Sequence, residues 1–383
     1  MRKNEKSKGT LYSLLLVFLS AFLVVGVFFN GARFGKAFSP AAKVGAVLSM
    51  PQGITAFIKK SEDTSSDGRI NTFLSSKNET NDEVAKETVL PVKKNSDEFV
   101  TPDDVLKMRE EYNKNYPASK KSGKITEMYY SSKNANVKYE NVSVKNTTSF
   151  DLDIEDELNK KATLEIKDKS EPSVLIFHTH TTESYEMADN GWYATDYATR
   201  SKNADRNMIR IGDEIQKQLE NAGFTVIHDT TVHDLKYNGA YSRSRETVEK
   251  ILEENPTIQV VLDVHRDAIY QQDGTRVKPV CEIDSKKCAQ VMIITGCEDG
   301  DVEDFPDWEK NLVFALHLQD EAQTQYEGLM RPVMFCNRKY NMDLTPCSLL
   351  LEFGSDSNTL EEAMYSGFLL GKSLASMLEG YVK

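Results

Sequence analysis

Hydrophobic and polar positions change their rhythm at Pro172. Beyond it, Ser173–His180 (SVLIFHTH) is a continuous apolar run ending in polar groups, the pattern of a strand buried on both faces of a parallel sheet. Asp205–Gly223 is amphipathic at helical spacing and closes on a glycine, a common helix terminator. Phe224–Thr230 predicts a second strand, Ser242–Asn255 a second helix stopped by Pro256, and Ile258–Ala268 a third strand. The alternation runs on through Gln290–Gly296 (strand), Trp308–Gly328 (helix), Arg331–Cys336 and Cys347–Gly354 (strands) and Leu360–Tyr381 (helix). Such a series predicts an α/β domain over 171–383, a mostly parallel twisted sheet with helices on both faces. Ligands in such sheets gather at the carboxyl ends of the strands.

Upstream the pattern is different. Residues 1–10 carry Arg2, Lys3, Lys6 and Lys8, and Leu11–Phe29 is an uncharged apolar run of 19 residues. At 1.5 Å per residue that run spans about 28 Å, close to the hydrocarbon thickness of a bilayer. The reading is a cytoplasmic basic tail (1–10), an uncleaved transmembrane anchor (11–29) and an extracytoplasmic remainder. Residues 30–170, rich in Lys, Ser, Asn, Asp and Glu, read as a polar, largely disordered spacer or lead-in. Within it Thr101–Tyr112 predicts one short helix, since Pro102 and Asp103 suit a helix start, and residues 124–167 read as short strands or a loosely packed lead-in.

Composition narrows the chemistry. A formal net charge of −12 argues against nucleic acid, which needs Lys and Arg concentrated on one face. The five cysteines lie at 281, 288, 297, 336 and 347 and include no Cys-x-x-Cys pair, which disfavours a structural zinc knot. Cys281 and Cys288 flank a turn-like segment and are candidates either for a disulfide or for buried thiols. Neither a phosphate-binding glycine loop nor a Gly-x-Ser-x-Gly elbow follows a strand, so nucleotide and serine-hydrolase chemistry are disfavoured.

At the carboxyl ends of the expected strands stand His178, His180 and Glu183, then His265, Arg266 and Asp267, and finally Glu352 within LLLEFG. A zinc hydrolase needs about three nitrogen or oxygen ligands and a nearby carboxylate that takes a proton from water. His180, Glu183 and His265 are the expected ligands, with His178 as the alternative to His180, and Glu352 is the expected catalytic base. An acid inside an apolar run is the more telling signal, because burying a carboxylate is costly without a cation or hydrogen-bond partner. Arg266 and Asp267 are expected to orient the site or hold a substrate carboxylate. His228-Asp229 and His233-Asp234 read first as turn-stabilising residues, with His228 a candidate for the substrate groove. His317 reads as a packed or surface residue of a helix.

The blocks VLIFHTHTTESY, NMIRIGDEI, VIHDTTVHD, YNGAYSRSRETV, VVLDVHRDAI and LLLEFGSDSNTLEEA together resemble the stage II sporulation protein P family of endospore-forming bacteria, from about Ser173 to Ala363. That family is similar in fold to zinc amidases and exopeptidases. The resemblance implies a zinc-dependent N-acetylmuramoyl-L-alanine amidase, with endopeptidase cleavage of peptide cross-links in addition, that thins septal peptidoglycan during engulfment of the forespore. It also implies stage II sporulation proteins D and M as partners. His180, His265 and Glu352 match the places of two zinc ligands and the catalytic acid in that fold. The amidases carry their ligand glutamate later, where this sequence reads SKNADRNMI; Glu183 is the substitute, with Asp205 and Asn203 as alternatives. A zinc carboxypeptidase acting on stem peptides and a non-catalytic wall-binding scaffold are the rival readings.

Overall fold

The computed structural model describes residues 98–383. The expected tail and membrane anchor lie outside them, and no described helix is long and apolar enough to cross a membrane. In chain order the elements are α1 (Asp103–Asn115), β1 (Gly123–Met128), β2 (Val137–Tyr139), β3 (Val142–Asn146), α2 (Ile154–Leu158), β4 (Pro172–Phe177), β5 (Trp192–Tyr193), α3 (Ile209–Asn221), β6 (Thr225–His228), α4 (Ala240–Glu254), β7 (Val260–Asp267), β8 (Arg276–Ile283), β9 (Lys286–Ala289), β10 (Val291–Gly296), α5 (Trp308–Gln325), β11 (Val333–Cys336), β12 (Cys347–Ser355) and α6 (Leu360–Glu379).

Eight strands form the main sheet in the order β2-β3-β11-β10-β12-β7-β4-β6. The β3/β11, β11/β10, β12/β7, β7/β4 and β4/β6 pairings are parallel, and β12 runs antiparallel to β10. Side chains alternate across the strands, so each apolar run feeds both faces. Val174, Ile176, Leu262, Val264, Leu349 and Leu351 join the core built with α3, α5 and α6. Leu175, Phe177 and Val261 point the other way and pack with Val248, Ile251 and Leu252 of α4. Complete burial of such a side chain contributes about 1.5–3 kcal/mol, which explains why the central strands are dominated by Val, Ile and Leu.

The expected polar spacer is folded over its described part. Strand β3 pairs with β11 and brings β2 with it as an antiparallel edge, while β1 pairs with β8 in a second, four-stranded sheet ordered β5-β1-β8-β9. Few apolar residues suffice here because Val142, Val144 and Ile154 are fully or almost fully buried. Helix α1 begins close to where the sequence places it, and its Val105 and Tyr112 are buried. The second sheet contains a hairpin that the α/β alternation did not predict. Its two-residue turn, Asp284-Ser285, has positive φ at both positions, the turn geometry that matches strand twist. Cys281 and Cys288 face each other across it with their sulfurs 2.8 Å apart, as buried thiols. Buried Lys278 ties this sheet to the main body through Asp189 and Glu362, each at 2.8 Å. Glu362 also closes the capping box with Thr359 that starts α6.

Candidate active site at the carboxyl edge of the sheet

The parallel register of β12 on β7 sets Glu352 beside His265. Both side chains therefore emerge on the same face of the sheet, the one covered by α4. His180 arrives in the turn after β4. Its ring stacks on Tyr237 at 4.8 Å, meets Tyr241 edge-on at 5.6 Å and lies 5.4 Å from the His265 ring, centroid to centroid. All three groups are buried.

Glu183, from the same turn as His180, lies 3.5 Å from His265 Nδ1. The backbone N–H of Arg266 donates to its Oε2 at 3.2 Å, and Arg200 Nη2 donates to its Oε1 at 3.2 Å. Burial alone would raise this carboxyl, but the His265 contact and the Arg266 and Arg200 charges outweigh it and hold it well below the usual range. On the other side of His265, Asp263 Oδ1 is 2.7 Å from Nε2, off hydrogen-bond alignment. Burial disfavours a charge on His265, yet Asp263 and Glu183 together draw its proton affinity well above the ordinary value. The position attracts a cation.

Among the described residues, neither ring nitrogen of His180 has a hydrogen-bond partner, and Glu352 Oε2 and the Tyr241 hydroxyl are likewise without one. Burial pushes His180 down to about 3, so its ring is neutral and its lone pair is free. Glu352 is pushed up to about 8 by burial and by the neighbouring Asp267 charge. No group of three or more His, Cys, Asp or Glu side chains among the described residues is gathered as a ready-made metal site. Glu183 spends its oxygens on Arg200 and on the Arg266 N–H instead.

His178 and His180, two residues apart, part company. His178 Nδ1 lies 2.9 Å from the Val264 carbonyl, to which it can only donate; its Nε2 then accepts from His228 Nε2 at 2.9 Å. The pair rests against α3, where a Cβ on Gly212 would come within 2.4 Å of the His228 ring. His228 Nδ1 stands 3.2 Å from Asp213. Both rings are thus committed to internal contacts, which leaves His180 as the uncommitted imidazole and removes His228 from the substrate groove. His233 also serves the backbone, with Nδ1 on the His178 carbonyl and Nε2 on the Thr247 hydroxyl. His317 contacts the Lys160 carbonyl far along α5.

Arg266 and Asp267 hold the frame. The Arg266 guanidinium donates to the carbonyls of Ser184, Thr199 and Asp267, pinning the turn after β4 to the loop before α3. Asp267 forms a buried ion pair with Arg331 at 3.0 Å, so it is not presented to a substrate. Asp205 and Asn203, the alternative ligand positions, are exposed, in and just before a short 3₁₀ turn where the Asn203 side chain accepts from the Asp205 N–H.

Several residues of this site were not singled out in the sequence. Asp263 accepts from the Thr179 N–H at 2.8 Å and the Thr179 hydroxyl at 2.7 Å. Its signal was present, since VVLDV is an acid inside an apolar run like LLLEFG. Asp234, read in the sequence only as turn-stabilising, accepts from Thr182 and Arg200 and sits 4.0 Å from His180 Nδ1. Tyr237, Tyr241 and Arg200 had no local signature.

A profile of the Stage II sporulation protein P family matches residues 70–375. Stage II sporulation protein P of Bacillus subtilis strain 168 is 32% identical over 201 residues, which cover 49% of this chain and 47% of that protein, so the match spans about half the length of the relative. Among solved structures, the fold is similar to the N-acetylmuramoyl-L-alanine amidase AmiC2 of Nostoc punctiforme (12% identity, 56% of this chain and 98% of that one, TM-score 0.34). It is also similar to the CwlD amidase of Clostridioides difficile in complex with the GerS lipoprotein (13% identity, 55% and 98%, TM-score 0.36).

Proposed function

The chain belongs to the stage II sporulation protein P family, and from that premise we propose that it is a zinc-dependent peptidoglycan hydrolase of sporulation, an N-acetylmuramoyl-L-alanine amidase that also opens peptide cross-links. It works outside the membrane on an N-terminal anchor, with stage II sporulation proteins D and M as partners. One observation carries the reading: two imidazoles and two carboxylates from three strand ends meet on one face, and His180 and Glu352 hold unpartnered polar atoms there. Buried polar atoms without partners mark a site that awaits something.

The donor set suits zinc. His180 offers a neutral ring, Glu183 an ionised carboxylate, and His265 a ring flanked by Asp263, the carboxylate–histidine pairing that orients metal-binding imidazoles. These three residues would hold the ion, with Glu183 giving up its contact to His265 or Arg200. Zinc, when bound, supplies a Lewis acid that polarises the scissile carbonyl and acidifies water. Glu352, raised by burial, would be ionised once the charge of a bound cation offsets that burial, and would then take the proton of the attacking water at its free Oε2 and return it to the leaving nitrogen. Arg266 and Asp267 keep the two loops and β7 in register and do not touch the amide.

The test is digestion of purified sacculi by the full-length chain, with product analysis. Free lactyl carboxyls on the glycan and intact stem peptides with free amino termini are expected. Shortened stem peptides with released amino acids would favour the carboxypeptidase, and no product with metal-loaded protein would leave a scaffold.

A further inference from the structure

Tyr241 carries a polar group with no part in holding an ion or in moving the proton of water. It stands in the first turn of α4, just past the N-cap Gly239. Its ring lies nearly parallel to the His265 ring at 6.4 Å, meets His180 edge-on at 5.6 Å and is backed by Tyr340, stacked at 5.1 Å. Asn341 Nδ2 and the Ser244 hydroxyl donate to the Tyr241 carbonyl at 3.0 and 3.1 Å, so backbone and ring are both held. The Tyr241 hydroxyl is sealed from solvent and has no hydrogen-bond partner among the described residues. Burial first, then Tyr340, Asp263 and Glu352 around it, raise its pKa well above the ordinary value, so it keeps its proton and stays a donor. Neither arginine flanking the site can stand in for it. Arg200 is spent on Glu183 and Asp234, and Arg266 on the carbonyls of Ser184, Thr199 and Asp267.

We infer that the Tyr241 hydroxyl is a catalytic donor, which hydrogen-bonds the oxyanion formed from the scissile carbonyl when water adds to it. A buried hydroxyl without an acceptor costs stability, and a fold retains one where a ligand supplies the acceptor. The carbonyl oxygen acquires negative charge at the tetrahedral stage, so a fixed, desolvated donor binds that stage more strongly than the planar amide. Being neutral, the phenol does not repel a cation held by His180, Glu183 and His265. The stack on Tyr340 sets the ring in advance, and little reorganisation accompanies the reaction. The assignment rests on the hydrolase reading and leaves the part of Glu352 in it unchanged.

Tyr241→Phe removes the hydroxyl and keeps the ring. In the zinc-loaded full-length chain it should lower kcat on sacculi about a hundredfold and change KM by less than about twofold. Zinc affinity in equilibrium dialysis should stay within about twofold of the parent, because the hydroxyl is not a ligand. The readout that needs no turnover is calorimetric binding of an N-acetylmuramoyl-L-alanine analogue in which a phosphinate and a methylene replace the scissile carbonyl and nitrogen. Its affinity for the zinc-loaded chain should fall about a hundredfold on Tyr241→Phe, since the phosphinate is a stable tetrahedral anion. Affinity for N-acetylmuramoyl-L-alanine itself, titrated into chains carrying Glu352→Gln, should be the same with and without Tyr241→Phe. Equal losses for the two ligands, weakened zinc binding, or kcat and phosphinate affinity both undiminished would each overturn the assignment. So would a collapse of the urea midpoint in Tyr241→Phe, because the hydroxyl would then be bonded within the fold. A parent chain that hydrolyses no sacculi ends the hydrolase reading and this assignment together, whereas hydrolysis as fast after Tyr241→Phe keeps the first and removes the second.

Discussion

Glu186→Gln should stabilise the protein, and by more at pH 8 than at pH 5. Glu186 is buried, takes a hydrogen bond from Tyr112 and lies 3.5 Å from Arg276, and burial pushes its carboxyl up from 4.5 to about 7. A raised carboxyl pKa means that the folded chain holds the proton after the unfolded chain has released it. Stability is therefore full below about pH 4.5 and is lost as pH rises toward about 7. Linkage puts that loss at about 1 kcal/mol by pH 5 and about 3 kcal/mol by pH 8. Glutamine cannot ionise and still accepts from the Tyr112 hydroxyl, so the variant escapes the loss. The assay is urea unfolding of both full-length chains, followed by fluorescence of Trp192 and Trp308, the two tryptophans of the sequence. With a slope of about 3 kcal/mol per molar urea, the gap between the two midpoints should widen by about 0.7 M from pH 5 to pH 8. An equal gap at both values would refute the reasoning, because the carboxyl would then titrate normally in its buried setting.

Four further outcomes follow from the site and its frame. Glu352→Gln should lower hydrolysis of sacculi at least a thousandfold while the chain still folds and binds zinc; unchanged turnover would remove Glu352 from the reaction. Asp263→Asn should weaken zinc binding ten- to a hundredfold in equilibrium dialysis, since the charge facing His265 is lost, and undiminished affinity would contradict that orienting role. Arg331→Met leaves Asp267 buried without its cation and should cost about 3–5 kcal/mol in chemical denaturation, against nearly nothing if the pair were solvated. Gly212→Ala drives a methyl into the His178–His228 pair and should cost about 1–3 kcal/mol, with loss confined to stability if those rings are structural.

The alternation of strands and helices was readable because each element carries its own period: Val174 to Phe177, Val260 to Leu262 and Leu349 to Leu351 are apolar on both faces, and the helices keep a buried stripe. Glu352 was readable for the same reason, as a carboxylate out of place in an apolar strand. The β8–β9 hairpin was not, and the strands upstream of Pro172 were readable only as short strands without a place, because their residues are mixed in polarity and gain their burial from distant partners such as Glu362 and β11.

What the sequence determined by itself, then, is local: where elements start and stop, and which strand ends carry histidines and acids. Which of two neighbouring histidines stays free was decided by tertiary contacts alone. His178 and His180 have nearly the same surroundings in sequence, yet the Val264 carbonyl and His228 saturate one ring, while Tyr237 and Tyr241 offer the other only their faces and edges. The same holds for Asp234, which acquires its place only from Thr182 and Arg200, dozens of residues away in the chain. Hydrogen-bond satisfaction and electrostatics act through space at a few ångströms, and chain order does not record those distances.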